Sequence, residues 1–279
     1  MAALALDVYT SPLRDLPGGG SFSPTTATLV MGPTEAVLID TGYAREDVDE
    51  IAARVTRHGK ALSAICITHA HPDHYLGLGA LLKRFPDAKP VAAPPVADAI
   101  RRGLEAARTT WRARFEGLAL DNTIVPEPLD GSRLTVDGEV LHVMTIGQGD
   151  IPDNTVVHVP CIDAVVAGDV VYNGVHPFLG ASGPDEWPQW IASIDAIAAL
   201  SPRRVVAGHK RPELPDDDLV ASLGATRSYI AEFIQAVDQA DSARDVISRM
   251  LDLYPDHANP SALISAAKAA INRRTSTHA

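Results

Sequence analysis

Apolar positions along the chain come in two spacings, short β-rich runs and longer stretches with a helical repeat, and the two kinds alternate. Short strands are predicted over 26–30 and 36–39, the second ending in the turn Asp40-Thr41-Gly42. Residues 46–57 place Val48, Ile51, Ala52 and Val55 on one helical face, and the apolar run 64–68 leads directly into a group of histidines. A helix over 75–85 stopped by Pro86, a strand over 90–93 and a short helix over 95–102 follow. Residues 103–120, rich in arginine and holding Trp111 and Phe115, are amphipathic and irregular, suited to covering a site or packing as a lid.

The second half repeats the alternation. Strands are predicted over 123–127, 140–146, 155–159 and 164–167. A helix over 187–200 sets Trp190, Ile191, Ile194 and Ile197 at core spacing, and a strand over 204–207 ends in Gly208-His209. Beyond Pro215 the pattern is helical throughout, over 216–238, 242–251 and 260–273. Strands joined by short helical crossovers, followed by a helical tail, predict an α/β class.

Composition narrows the function classes. The 279 residues are 46% apolar and 21% charged, ordinary for a soluble globular chain with a sizeable core. No apolar run reaches the roughly 18 residues of a membrane span. The first seven residues lack the basic region and long apolar stretch of a secretory leader. Cys66 and Cys161 both fall in apolar, strand-like runs, so free buried thiols in a reducing cytoplasm are expected. A net charge of −11 with no basic block argues against nucleic-acid binding.

The chemistry concentrates in His69-Ala70-His71-Pro72-Asp73-His74, three imidazoles and a carboxylate directly after a buried strand. In extended backbone His69 and His71 point the same way, while Asp73 and His74 lie at the turn into the next helix. That mixture of nitrogen and oxygen donors suits divalent zinc.

The segment resembles the H-x-H-x-D-H signature of the metallo-beta-lactamase superfamily. Asp40-Thr41-Gly42, Ala167-Gly168-Asp169 and Gly208-His209 are similar to further strand ends of that family, in its order, so the resemblance spans nearly the whole chain. It implies a four-layer αβ/βα sandwich, with a catalytic domain over 1–215 and a helical extension over 216–279 packed on it. It further implies that His69 and His71 hold a first metal, that Asp73, His74 and His209 hold a second, and that Asp169 bridges both. Zinc, one or two ions per chain, is the expected metal, with iron or manganese as alternatives.

One position departs from the family, which supplies a further histidine from a Gly-His step where this chain has Gly147-Gln148. An amide oxygen is a weaker zinc ligand than an imidazole nitrogen. Three readings stand: Gln148 is a weak ligand, Asp150 replaces it, or the chain holds one tight metal or has lost catalysis. With Gln148 as the ligand, the first metal dissociates more easily and Gln148→His tightens it.

The resemblance implies hydrolysis of an ester, lactone, thioester or amide of a small molecule by cation-activated water. Asp73 would orient the water and carry a proton, and Tyr172, three residues beyond Asp169, would assist the carbonyl oxygen as in the lactonase branch. An ordinary packing role for Tyr172 stands beside that. Asp40 is a candidate support for a ligand histidine. His142 and His158 lie in strand patterns and read as structural, and His176 as a solvated loop histidine. His71 argues against the flavin-linked branch, and no basic arm points to the nuclease branches. The rival readings are a single-iron persulfide dioxygenase and a degenerate binding protein. The expected partner is a small-molecule substrate, with no nucleic acid and no membrane, and the apolar faces of the tail leave a homodimer open.

Overall fold

The computed structural model describes residues 4–120 and 124–277, so Thr123 and the first three residues of the N-terminal stretch lie outside it. The first half forms β1 (Ala5–Thr10), a small hairpin of β2 (Arg14–Asp15) and β3 (Ser21–Phe22), β4 (Thr26–Met31) and β5 (Glu35–Ile39). Helix α1 (Arg45–His58), β6 (Ala61–Ile67), α2 (Pro72–Tyr75), α3 (Leu78–Arg84), β7 (Lys89–Ala92), α4 (Pro94–Arg114) and β8 (Glu127–Pro128) complete it. The second half contributes β9 (Arg133–Val136), β10 (Glu139–Gly147), β11 (Asn154–Val159), β12 (Ala164–Asn173), α5 (Trp187–Ala199) and β13 (Arg204–Lys210). A π-helical turn, Val220–Gly224, leads into α6 (Ala225–Gln239), α7 (Ala243–Leu253) and α8 (Pro260–Thr277).

The strands form one sheet in the order β1-β4-β5-β6-β7-β8 and a second in the order β13-β12-β11-β10-β9. Side-chain alternation splits each strand between two cores. In β4, Leu29 and Met31 face α1, α3 and α4, while Val30 faces the other sheet. In β12, Val165 and Ala167 face the helices of the second half, while Ala164 and Val166 face inwards. Three apolar cores separated by two sheets make four layers, the αβ/βα sandwich expected. The tail helices bury Leu223, Ile230, Phe233 and Val237 in the same outer core as Trp187 and Trp190. Among the described residues no helix is long and apolar enough to cross a membrane.

Several elements differ from the sequence expectation. The helix expected over 75–85 is interrupted at Gly77, whose missing Cβ would stand 2.6 Å from Val48 Cγ2 and 2.7 Å from the Thr41 carbonyl. Close approach of the Asp40–Gly42 turn thus requires glycine there and divides the helix in two. Helix α4 runs on to Arg114 through the segment read as irregular. Gly103 costs that helix only about 1 kcal/mol, and Leu104 is buried against the first core. Of the strand expected over 123–127, whose first residue lies outside the described residues, only Glu127 is in a strand, joined by Pro128 at the sheet edge, since proline cannot donate to a ladder. Strands β12 and β13 extend past Ala167 and Ala207 to Asn173 and Lys210, carrying Asp169 and His209 within the sheet.

Two single-residue expectations also change. Cys66 is buried and free, but Cys161 sits exposed in the one-turn segment Pro160–Ile162 between β11 and β12. His176 is not solvated: it is fully buried, its Nδ1 lies 2.8 Å from the Tyr229 hydroxyl, and its ring meets His257. His142 and His158 do pair across β10 and β11, as strand residues.

Burial, with the nearby His257, lowers the His176 pKa to about 4. The unfolded chain takes up this proton near pH 6.5, so the stabilisation is complete above that pH and is lost as pH falls towards 4. Urea denaturation should show wild type losing about 2 kcal/mol more than His176→Gln between about pH 7.5 and about pH 5. Equal losses would place the histidine in water.

Candidate metal centre

The chemically important side chains sit at strand ends, in the turns that follow or, for Asp169, at an irregularity inside β12. Strand β6 stops at Ile67, and Thr68 and His69 continue into α2, where Pro72 occupies the first turn and Asp73 and His74 are carried inward. Asp40, at the end of β5 with φ of 62°, ties this segment down. Its carboxylate accepts from the Thr68 amide at 2.8 Å, from the Thr68 hydroxyl at 2.8 Å and from His74 Nδ1 at 2.9 Å.

These contacts decide the imidazole tautomers. The Thr68 hydroxyl gives its proton to Asp40, so it accepts from His69 Nδ1 at 2.9 Å. His74 Nδ1 donates to a carboxylate, and His209 Nδ1 donates to the Pro24 carbonyl at 3.0 Å. All three rings therefore turn Nε2 into one space, the nitrogen whose lone pair a metal would take in place of a proton.

Asp169 lies between them. Its Oδ1 is 3.1 Å from His74 Nε2, and its Oδ2 is 3.1 Å from His209 Nε2 and 3.6 Å from His69 Nε2. Two glycines make room for it. A Cβ on Gly208 would fall 2.8 Å from the Asp169 amide nitrogen and still closer to its carboxylate, and Gly168 has φ of 51° against Thr68. The β12/β13 register shifts between Gly168 and Tyr172, a local irregularity that lets the aspartate emerge from a buried strand.

On the other side, His71 Nδ1 stands 2.5 Å from Asp150 Oδ2. The Asp150 carboxylate is fully buried, and its second oxygen accepts from the Ile151 amide at 2.8 Å. Gln148 is buried nearby, with its amide nitrogen donating to the Gly149 carbonyl at 3.0 Å. Of the two residues weighed for the place beside His71, Asp150 thus brings a charged oxygen to the ring. The donor atoms form two groups, His69, His71, Asp150 and Asp169, and Asp73, His74 and His209.

Charge follows from this crowding. Burial by itself would raise the carboxylates and lower the imidazoles, but mutual attraction overrides it. Asp169 is held well below the usual carboxylate range by His209, His74 and His69, and Asp73 is lowered chiefly by His74 and His209. His74 is raised well above the ordinary imidazole value by Asp169, Asp73 and Asp40, and His209 rises to about 10. Burial, with Asp169 next to it, pushes the Tyr172 phenol far up, so it stays protonated and donates to Asp169 Oδ2 at 2.9 Å.

The metallo-beta-lactamase superfamily profile matches residues 20–209. The chain belongs to that superfamily. Among solved structures, a metallo-beta-lactamase family protein from Thermus thermophilus is similar over 98% of this chain and 94% of its own, with 19% identity and a TM-score of 0.66. The DIM-1 metallo-beta-lactamase exposed to ceftazidime covers 82% of this chain and 96% of its own at 21% identity, with a TM-score of 0.62. The mono-zinc form of FIM-1 from Pseudomonas aeruginosa covers 84% and 96% at 18% identity, with a TM-score of 0.60. Among curated protein sequences none matches the chain.

The residues present fit the divalent metals of this superfamily. His69 Nε2, His74 Nε2, Asp150 Oδ2 and Asp169 Oδ1 are buried and meet neighbouring donor atoms only as close nitrogen–oxygen contacts without hydrogen-bond geometry, and their residues belong to the two donor groups. Buried polar atoms without partners are costly, and a shared cation relieves several at once. Sequence reading passed over Thr68, Thr25 and Pro24, which support His69, Asp73 and His209. Thr68 adjoins the motif in sequence, but the backbone carbonyl of Pro24 gives no signal there.

Asp150→Asn is expected to release one metal equivalent per chain on dialysis against a weak chelator, while Gln148→Ala retains its metal; elemental analysis reads both, and the reverse pattern would restore Gln148 as the ligand. Asp40→Asn, whose one acceptor oxygen cannot serve all three donors and whose NH2 would face one of them, should weaken metal affinity by about 10–100-fold in competition titrations. An unchanged affinity would show that His74 needs no such support.

Proposed function

We propose that this chain is a metal-dependent hydrolase that cleaves an ester, lactone, thioester or amide bond of a small molecule. The observation that carries the reading is the meeting of both donor groups beside Asp169, on the floor of a cavity of about 240 Å³. His69, His71, Asp150 and Asp169 would hold one divalent ion, zinc by donor type, and Asp73, His74 and His209 a second. When bound, such ions supply Lewis acidity, lowering the pKa of water and polarising a carbonyl.

The chain's own groups are placed for the remaining work. Asp73 lines the cavity as a carboxylate, steadied by the Thr25 hydroxyl at 3.2 Å, and is positioned to orient water and take its proton. Tyr172 lines the same cavity as a neutral phenol; its one proton goes to Asp169, and it would serve an oxyanion by turning from that carboxylate. The reading of a degenerate binding protein rested on Gln148 alone, and the carboxylate of Asp150 beside His71 weakens its only support. A cytoplasmic location belongs to the same proposal, supported by two cysteines that are both free, one of them exposed.

The test is a screen of lactones, esters, thioesters and β-lactams with metal-loaded protein. Hydrolysis of at least one class should vanish with a chelator and fall by about 100-fold or more in Asp73→Asn. Turnover that survives both treatments would remove the proposal.

A further inference from the structure

The upper walls of the cavity carry residues with no part in holding cations. Phe22, on β3, stands 6.2 Å from the His209 ring and packs edge-on against Trp111 at 5.5 Å and Phe115 at 5.1 Å. Trp111 stacks on Phe115 at 4.5 Å, fixing the last turn of α4 against the hairpin. Phe178 closes the side nearest His71, at 6.0 Å. Arg114, the final residue of α4, also lines the cavity, with its guanidinium 5.9 Å from the Phe22 ring and 5.4 Å from Phe115.

Among the lining residues Arg114 is the one lysine or arginine. It is exposed, and its partners are aromatic faces, with no carboxylate paired to it among the described residues. Stacking orients a guanidinium while leaving its edge N–H donors open to an anion. The surroundings otherwise repel anions, since the chain carries a net charge of −11 and Asp73, Asp150 and Asp169 line the floor. A fixed cation at that rim offsets this locally, one aromatic ring beyond His209.

We propose that Arg114 determines specificity: the cavity takes acyl compounds whose apolar arm lies on Phe22 and Trp111 and whose far end carries a carboxylate that pairs with Arg114. This rests on the hydrolase reading above for the position of the reacting carbonyl. The carboxylate is therefore separated from that carbonyl by about the breadth of a ring, rather than adjacent to it.

The experiment uses the metal-loaded protein and two aryl ester twins, identical except that one bears a distal carboxylate where the other bears a neutral amide. Arg114→Ala should raise KM for the carboxylate twin about 10-fold, with kcat and both constants for the neutral twin nearly unchanged. Arg114→Glu should raise it further, and Arg114→Lys should recover only part of the preference. Equal effects on both twins would reduce Arg114 to a packing residue and overturn the inference while leaving hydrolysis intact. A second readout is free of turnover: the part of the tryptophan fluorescence quenched by 4-phenylbutyrate and by its amide, which reports Trp111 because Trp187 and Trp190 are buried away from the cavity. Wild type should prefer the carboxylate and Arg114→Ala should not. That result would uphold Arg114 even if no ester were cleaved, whereas a preference persisting in Arg114→Ala would assign the carboxylate to the metals and overturn it.

Discussion

Three buried carboxylates, Asp73, Asp150 and Asp169, share one small volume, and the structure is arranged around making that tolerable. Two like charges about 4 Å apart near a protein surface repel by roughly 4 kcal/mol, and more where water is excluded. Four imidazoles surround the carboxylates, and the raised pKa values of His71, His74 and His209 beside the lowered one of Asp169 show how strongly the two sets depend on each other. Divalent cations at the same points satisfy the carboxylates without requiring protonated histidines. The site is thus a buried cage in which raised imidazoles balance the carboxylates and whose donors could hold divalent cations instead.

Holding such a cage together requires rigid supports. Both sheets supply firmly held strand ends, because β4, β5, β6, β11, β12 and β13 are each packed on two faces. Asp40 links the end of β5 to the start of the histidine segment through three hydrogen bonds, and adopts a left-handed backbone to do so. The backbone of Pro24 orients His209 from across the sandwich. Gly168 and Gly208 leave the space into which Asp169 fits. The walls above this floor come from elements distant in sequence: the β2–β3 hairpin, the end of α4 and the start of α8, where Ser21 and Ser261 are hydrogen-bonded at 2.9 Å.

The parts of the fold that were legible are those where pattern and burial coincide. Alternation in β4 and β12 and the helical spacing of Val48, Ile51, Ala52 and Val55 correspond to buried faces. Boundaries were less legible where tertiary contacts override local preference. Gly77 divides a helix because a neighbouring turn passes over it, and α4 continues past Gly103 because Leu104 has a core to enter. His176 looked solvated because nothing in its local sequence reveals Tyr229, which arrives from a helix 53 residues later.

By itself, the sequence determined the superfamily and the main cluster of donors, since ligand type and spacing in one short segment are set by covalent geometry. It could not choose between Gln148 and Asp150, which lie two residues apart in a single loop. That choice belongs to the tertiary structure, where the bend after β10 and the hydrogen bond from the Ile151 amide aim Asp150 at His71. The cavity walls and the single guanidinium at their rim were likewise beyond local reading, because a surface assembled from separate elements exists only once the layers have packed.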